Sequence, residues 1–214
     1  MNATMTTPRA GRVEQRRAQT RRAVLDASWQ LAADSGLAAL SLREIAASVG
    51  MRAPSLYSYF PSKAAIFDAL FADGYGALDD RMAAAAAALP TDASPRLRLG
   101  ALLREWIAFC QADQARYRLL FTNAVPGWWP SDEAYAASLA NYARLCDNLA
   151  LAGITEPDDV DLCTALSSGL VAQQMANDPA GDRWLRRVDD VVDMVLQHIA
   201  TRDPLPVRPR EENA

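Results

Sequence analysis

The sequence predicts an all-α protein. Apolar residues recur with helical spacing over most of the 214 residues. No segment combines strand-like alternation with a hairpin turn. Glycine, proline or a capping side chain separates the Ala- and Leu-rich segments, as at helix ends. Half of the residues are hydrophobic and 22% are charged, so the chain can bury a substantial core.

Each predicted helix lies between two such helix-ending or helix-starting signals. Irregular, disordered tails are expected at 1–11 and 204–214, where periodicity is missing or proline is frequent. Between these tails, the expected helices cover residues 12–35, 42–49, 54–60, 63–88, 95–112, 115–122, 132–152, 157–177 and 182–201.

Composition excludes several classes of protein. The longest apolar run, Met82–Pro90, is too short to cross a bilayer, and the first residues are too polar for a secretory signal. The three cysteines are widely spaced and His198 is the only histidine, which argues against a disulfide framework or a zinc site. We therefore expect a cytoplasmic protein without membrane association, metal or cofactor.

The charge is unevenly distributed. The net charge of the whole chain is -4. Residues 1–71 contain nine basic and five acidic side chains, a balance of +4, whereas the remainder contains 13 basic and 21 acidic, a balance of -8. A basic N-terminal part on an acidic body is typical of a protein that meets a polyanion at one end. A solvated helix face with chance clustering would give the same count.

A helix-turn-helix pattern follows the first helix. Ser41 and Glu44 form a capping box, in which the Ser41 hydroxyl accepts from the third helical N–H. Gly50 ends this helix after two turns, and Ala46 is small enough for a second helix to cross closely. Leu56 is placed to fill the gap between the two helices. A generic helical hairpin would rarely combine these features.

The second helix of such a unit enters the major groove of DNA. Its small and hydroxyl side chains allow close approach, and Arg52 can bind guanine through two hydrogen bonds. The helix that starts at Ser62 offers free N–H groups and Lys63 to a phosphate. Tyr57 fits a core position better than a DNA contact, and both assignments stay open.

The stretch from Arg22 to Leu70 resembles the DNA-binding domain of the TetR family of bacterial transcriptional regulators. The resemblance lies in residues 27–31, Gly36, 40–46, 49–50, 55–60 and 62–63. It implies phosphate contacts at Ser41, Tyr59 and Lys63 and operator-dependent contacts at 52, 53, 55 and 57. Ala53 is small where many relatives have a long polar residue. The residues assigned to DNA are Ser41, Arg43, Arg52, Ala53, Ser55, Tyr57, Ser58, Tyr59 and Lys63.

The resemblance implies a DNA-binding domain at 12–72 and a larger helical domain at 73–203 that dimerises and holds a small-molecule effector. Aromatic residues concentrated in residues 106–142 suit a flat, largely apolar ligand, although each also fits an ordinary core. Two adjacent tryptophans cannot both face one core, so one of them is expected at a cavity mouth or an interface. The residues assigned to the ligand are Trp106, Phe109, Tyr117, Phe121, Trp128, Trp129, Tyr142 and Gln173.

The last two helices are the dimerisation helices by the same resemblance. Gly169 permits close helix approach, and the second helix has an apolar stripe of Val188, Val191, Val192, Val195 and Ile199. Gln173 and Gln174 fit either the pocket or the interface. The implied function is a homodimeric repressor that binds a pseudo-palindromic operator and is released by an apolar or aromatic effector.

Other functions stay open at this stage. The chain could be a DNA-binding regulator without a small-molecule effector, or an activator. It is not expected to be an enzyme, because it has no GxSxG, HExxH, Walker A or GxGxxG motif, and a catalytic triad would have to use His198. A membrane-surface protein would need more apolar bulk on the basic first helix.

Overall fold

The computed structural model describes residues 8–201 of the chain. Within that range the structure is helical, without a β-strand. Short 3-10 helices lie at Leu37–Ala39 and Leu185–Arg187. The α-helices are α1 (Pro8–Ser35), α2 (Leu42–Ser48), α3 (Ala53–Leu56), α4 (Lys63–Ala87), α5 (Pro95–Ala112), α6 (Gln114–Phe121), α7 (Asp132–Ala150), α8 (Pro157–Asn177) and α9 (Val188–Thr201). The predicted all-α class is confirmed.

Side-chain caps explain where most of these helices begin. The Ser41 hydroxyl accepts from the Glu44 N–H at 3.4 Å and thereby caps α2. Ser62 caps α4 in the same way, through the Ala65 N–H at 3.1 Å, and Asp113 caps α6 through the Arg116 N–H at 2.9 Å. α2 is followed by Gly50 in the left-handed region, with φ 67°.

α1 already includes Pro8, the first described residue, which lies four residues before the predicted start of the helix. The expected irregular tail at 1–11 was therefore too long. Its residues 1–7 lie outside the described residues, as does the tail expected at 204–214.

α3 is shorter than the helix predicted at 54–60. Its α-helical residues end at Leu56, and the Tyr59 and Phe60 N–H groups both donate to the Leu56 carbonyl, at 2.9 and 3.0 Å. The residue before a proline is pushed out of the helical region, and Phe60 precedes Pro61. The segment therefore closes in a turn.

Contacts between Cα atoms divide the chain into two compact units. The first contains the residues up to Arg81 together with Ala108–Ala143, and the second contains Met82–Ile107 together with the residues from Arg144 onward. The first unit thus adds the end of α5, α6, the loop after it and most of α7 to the helix-turn-helix, whereas the sequence suggested a functional division near residue 72.

The first unit has a continuous apolar core under α2 and α3, formed by Ile45, Ala46, Leu56 and Phe60. Asp73 on α4 joins three helices of this unit. Its carboxylate accepts from Trp29 Nε1 on α1 at 2.7 Å, pairs with Arg22 on α1, and lies 3.7 Å from Arg116 Nη2 on α6. This is a part-buried ionic node between α1, α4 and α6.

The second unit packs α9 against its own core. Val195 is buried with Leu149, Ile154 and Val160, and Ile199 contacts this cluster. The apolar stripe predicted on α9 therefore faces the interior of the subunit. No helix among residues 8–201 is long and apolar enough to cross a membrane.

Gln174 on α8 fixes the connection to α9. Its side chain is fully buried. The carboxamide oxygen accepts from the N–H groups of Trp184 and Leu185 at 2.9 and 3.1 Å, and the amide nitrogen donates to the carbonyls of Asp178 and Gly181. α9 then begins at Val188, six residues after the predicted start, because Gln174 holds residues 184 and 185 in the connection.

Candidate functional site

The predicted DNA-facing residues divide into two groups by exposure. Ser41, Ala53, Tyr59 and Lys63 are half-buried. Arg43, Arg52, Ser55, Tyr57 and Ser58 are exposed. Tyr57 was expected to fit the core better than a DNA contact, but its side chain is 52% exposed. In this segment Leu56 takes the buried core position, so the exposed Tyr57 side chain can contact DNA.

The residues from 53 to 60, which contain α3, are called the recognition segment, and two arginines of α1 hold its C-terminal end. Arg17 Nη2 donates to the Ser58 carbonyl at 2.8 Å, and Arg21 Nη1 donates to the Tyr59 carbonyl at 2.5 Å. The Arg21 guanidinium also lies over the Phe60 ring, 4.2 Å from its centre. Cations are favourable at the carbonyl end of a helical segment. These contacts set the orientation of α3 on α1, and the sequence interpretation assigned no role to either arginine.

Lys63 stands at the first turn of α4. Its ammonium donates to the Ala38 carbonyl at 3.3 Å and lies 5.5 Å from the centre of the Phe67 ring. Both contacts are weak at these distances, so the side chain can exchange the Ala38 carbonyl for a phosphate oxygen. The position fits the predicted phosphate contact.

A cavity of about 700 Å³ opens in the same compact unit. It is lined by α4, α6, α7 and the loop between α6 and α7. Seven aromatic side chains contribute to its wall: Phe71, Tyr75, Phe121, Trp128, Trp129, Tyr135 and Tyr142. Its size and aromatic surface are those of a small-molecule site.

The cavity includes half of the predicted ligand-binding residues. Phe121, Trp128, Trp129 and Tyr142 line it. The other four lie outside its lining. Trp106 belongs to the second unit, and Phe109 is buried with the Arg81 guanidinium over its ring. The centre of the Tyr117 ring lies 6.1 Å from that of Phe121, and exposed Gln173 accepts from Asn177.

The sequence interpretation missed the contribution of α4 to the cavity. Phe71 and Tyr75 lie one turn apart on this helix, and their rings contact each other at 4.9 Å between centres. Tyr75 also donates to the Leu120 carbonyl at 3.4 Å. The signal was present as an aromatic residue at every fourth position, 67, 71 and 75.

The Trp128 side chain joins the cavity loop to the first turns of α4. Its Nε1 donates to the Asp68 carboxylate at 3.2 Å. The centre of its ring lies 5.5 Å from the centre of the Phe67 ring and 5.9 Å from that of the Phe71 ring. The Ser131 N–H donates to the same Asp68 oxygen at 3.2 Å. Trp129 is 76% exposed, which confirms that the two tryptophans do not share one core.

Among the described residues, those that line the cavity include no charged side chain. Burial, with smaller effects of Tyr135 and the negative charge of Asp79, raises the pKa of Tyr75 to about 12, so its hydroxyl keeps its proton at neutral pH. Asp79 accepts from Asn141 Nδ2 at 2.6 Å. The wall thus offers aromatic faces and a neutral phenol.

Comparison with known proteins places this geometry in a family. Residues 24–70 match the family model described as bacterial regulatory proteins, tetR family. The HTH-type transcriptional regulator Mb1846 of Mycobacterium bovis is 27% identical over 175 residues, which are 80% of this chain and 71% of that protein.

Solved structures agree with this match. The structure of the protein SCO4313 superposes with a TM-score of 0.69 at 26% identity, covering 86% of this chain and 98% of that one. The FadR regulator of Bacillus subtilis, solved in complex with stearoyl-CoA, has the same fold, with a TM-score of 0.61 at 15% identity over 81% of this chain and 96% of that one. The helix-turn-helix domain is that of the TetR family of bacterial transcriptional regulators, and the chain is a DNA-binding regulator of the helix-turn-helix type.

Proposed function

We propose that the protein is a homodimeric repressor, acting in the cytoplasm, that binds a pseudo-palindromic operator and releases it when a small, largely apolar molecule enters the cavity. One observation carries this proposal. α4 begins at Lys63, beside the recognition segment, and the same helix contributes Phe71 and Tyr75 to the cavity. A change at the cavity can therefore reach the DNA-facing residues through one rigid element.

The route between the two sites is short. Trp128 contacts Phe67, and Phe67 lies beneath the Lys63 ammonium. Asp68 accepts from Trp128 one residue further along α4. A ligand that displaces the Trp128 indole changes the packing of the first two turns of α4. A typical coupling of about 1–3 kcal/mol, or roughly 5–150-fold in affinity, suffices to switch a promoter.

DNA binding is tested with an operator selected from a random pool. Lys63→Ala should weaken binding to every sequence and lower the salt slope by about one, because it removes one phosphate contact. Arg52→Ala or Ser55→Ala should relax the preference at particular base pairs, at a cost of about 1–3 kcal/mol for a bidentate contact. A change in sequence preference alone in Lys63→Ala would contradict its assignment.

The effector response is tested with Trp128→Phe and Phe109→Leu, which keep most of the volume of a half-buried and a buried side chain. Both variants should fold and keep their affinity for the operator. Trp128→Phe should weaken the release of operator by compounds that raise the melting temperature of the protein, because it removes the hydrogen bond that links the cavity loop to Asp68 on α4. Phe109 lies outside the cavity lining, so Phe109→Leu should keep this release. If no compound releases the operator from the wild type, the protein is a regulator without a small-molecule effector.

The proposed dimer uses the outer face of α8. Five exposed, small residues share this face, because each lies three or four residues from another of the set: Ala165, Ser168, Gly169, Ala172 and Ala176. Such a stripe lets two helices approach closely around a two-fold axis. Recognition helices in a dimer should lie about 34–36 Å apart, one turn of DNA. Ala172→Arg should produce monomers in light scattering and abolish operator binding, whereas Thr91→Arg, at an exposed position outside α8, is its control.

A further inference from the structure

The hydroxyl groups of the cavity wall differ in their availability to a ligand. Those of Thr122 and Ser138 each donate at 2.8 Å to a backbone carbonyl three or four residues earlier. Tyr135 and Tyr142 are 49% and 45% exposed, so water competes for their hydroxyls. Tyr75, which lines the same cavity, is only 8% exposed. Its hydroxyl is therefore a donor that the wall shelters from water.

The hydrogen bond that Tyr75 makes is long. Its hydroxyl is 3.4 Å from the Leu120 carbonyl oxygen, whereas O–H···O bonds usually measure about 2.5–3.0 Å. The two helices cannot move closer to shorten this bond, because a Cβ at Gly74 would already lie 3.0 Å from a Leu120 methyl group. The buried hydroxyl thus has a weak acceptor, which is unfavourable in surroundings that exclude water.

An acceptor on a ligand would complete the hydrogen bonding of this group. Burial raises the pKa of Tyr75 to about 12, so the hydroxyl keeps its hydrogen at neutral pH. A three-centre bond can share that hydrogen between a ligand oxygen and the Leu120 carbonyl, which then keeps its partner. Because no charged side chain belongs to the described part of the wall, an ion would lose water there without gaining an opposite charge.

We infer that Tyr75 is the specificity-determining residue of the cavity, and that the effector is an uncharged aromatic molecule with a carbonyl oxygen that accepts from the Tyr75 hydroxyl. The inference rests on the proposed effector response and specifies its chemistry. The aromatic side chains of the wall bind the rings of such a molecule, and the single buried donor fixes its orientation.

The inference is tested with 9-fluorenone and fluorene, which differ only in a carbonyl group in place of a methylene group. Equilibrium dialysis against the full chain gives both affinities, and their ratio is compared between wild type and Tyr75→Phe, so that the different hydrophobicity of the two compounds cancels. The preference for the ketone should be about three- to ten-fold greater in the wild type. The affinity for fluorene should stay within about two-fold, because the ring of residue 75 and the cavity are retained.

Tyr117→Phe is the matched control. It removes the hydroxyl of a half-buried tyrosine that lies outside the cavity lining, so the ratio of the two affinities should equal that of the wild type. The carbonyl stretch of bound 9-fluorenone gives a second measurement that needs no variant. It should lie at lower wavenumber on the wild-type protein than in a hydrocarbon solvent, and a stretch at the hydrocarbon value would overturn the inference.

The outcomes separate this inference from the proposed function. An equal ratio in wild type and Tyr75→Phe, or failure of 9-fluorenone to bind below about 100 μM, would overturn the assignment of Tyr75 and leave the effector response intact. The effector response itself fails only if no compound of any class releases the operator.

Discussion

Removal of the Asp73 carboxylate should destabilise the first unit. We predict that Asp73→Ala lowers the free energy of unfolding by about 2–4 kcal/mol. The variant leaves Trp29 Nε1, in a side chain that is 6% exposed, without the acceptor that now lies 2.7 Å away. It also removes one of the two carboxylates near Arg116, at 3.7 Å, while Asp113 stays 3.6 Å from the same guanidinium.

The magnitude follows from the two contacts. A buried donor that loses its acceptor costs about 1–3 kcal/mol. The pair with Arg116 is part-buried, with 21% of the arginine side chain and 16% of the aspartate side chain exposed, so its loss adds about 1 kcal/mol, between the values for surface and buried pairs. Arg22 is half exposed and adds little.

Urea denaturation measures this change, and the protein concentration is held fixed because the proposed dimer would make stability depend on concentration. Asp73→Asn offers a graded comparison. Its amide oxygen can still accept from Trp29, so we expect about half of the loss. Asp80→Ala removes an exposed carboxylate from the same helix and should change stability by less than about 0.5 kcal/mol. If Asp73→Ala matches Asp80→Ala, the three-helix node does not stabilise the unit.

Three further predictions follow from buried groups. Gln174→Ala should cost about 2–4 kcal/mol in urea denaturation, because it removes four hydrogen bonds at a fully buried position, whereas exposed Gln173→Ala should be neutral within about 0.5 kcal/mol. Leu56→Ala should cost about 2–5 kcal/mol by the same measurement, and a smaller loss would mean that the helix-turn-helix collapses around the gap. Burial raises the pKa of the Cys110 thiol to about 12, so its reactive thiolate is scarce at pH 8. An aromatic disulfide reagent should therefore label Cys110 at least about 100-fold more slowly than half-buried Cys146. Peptide mass spectrometry after a timed quench would detect equal labelling, which would contradict this burial.

The helix-turn-helix could be predicted from the sequence because its determinants are local. Ser41 caps a helix that begins one residue later, and Gly50 takes the left-handed conformation directly after that helix. Leu56 needs only the neighbouring helix for its burial. Each sequence signal lies within about one to four helical turns of the structure that it determines. Residues that are close along the chain are therefore also close in the fold.

The cavity could be predicted only in part because its residues come from distant segments. Trp106 and Phe109 are three positions apart, yet they belong to different compact units. Phe71 and Tyr75 come from α4, about 45 residues before the aromatic segment to which Tyr75 is hydrogen-bonded through the Leu120 carbonyl. A cluster of aromatic residues along the chain therefore did not identify the cluster in space, since the helix crossings that bring them together are tertiary contacts.

α4 connects the predicted DNA-facing residues to the cavity. Its first turn presents Lys63, its second supports Trp128 through Phe67 and Asp68, and its third and fourth turns line the cavity with Phe71 and Tyr75. Asp73, on the opposite side of the same turns, holds the helix to α1 and α6. Because α1 in turn fixes the recognition segment through its arginines, a shift of α4 at the cavity must either move the recognition segment with it or break the Asp73 node. A ligand can drive the first alternative only by the difference between its affinities for the two positions of the helix.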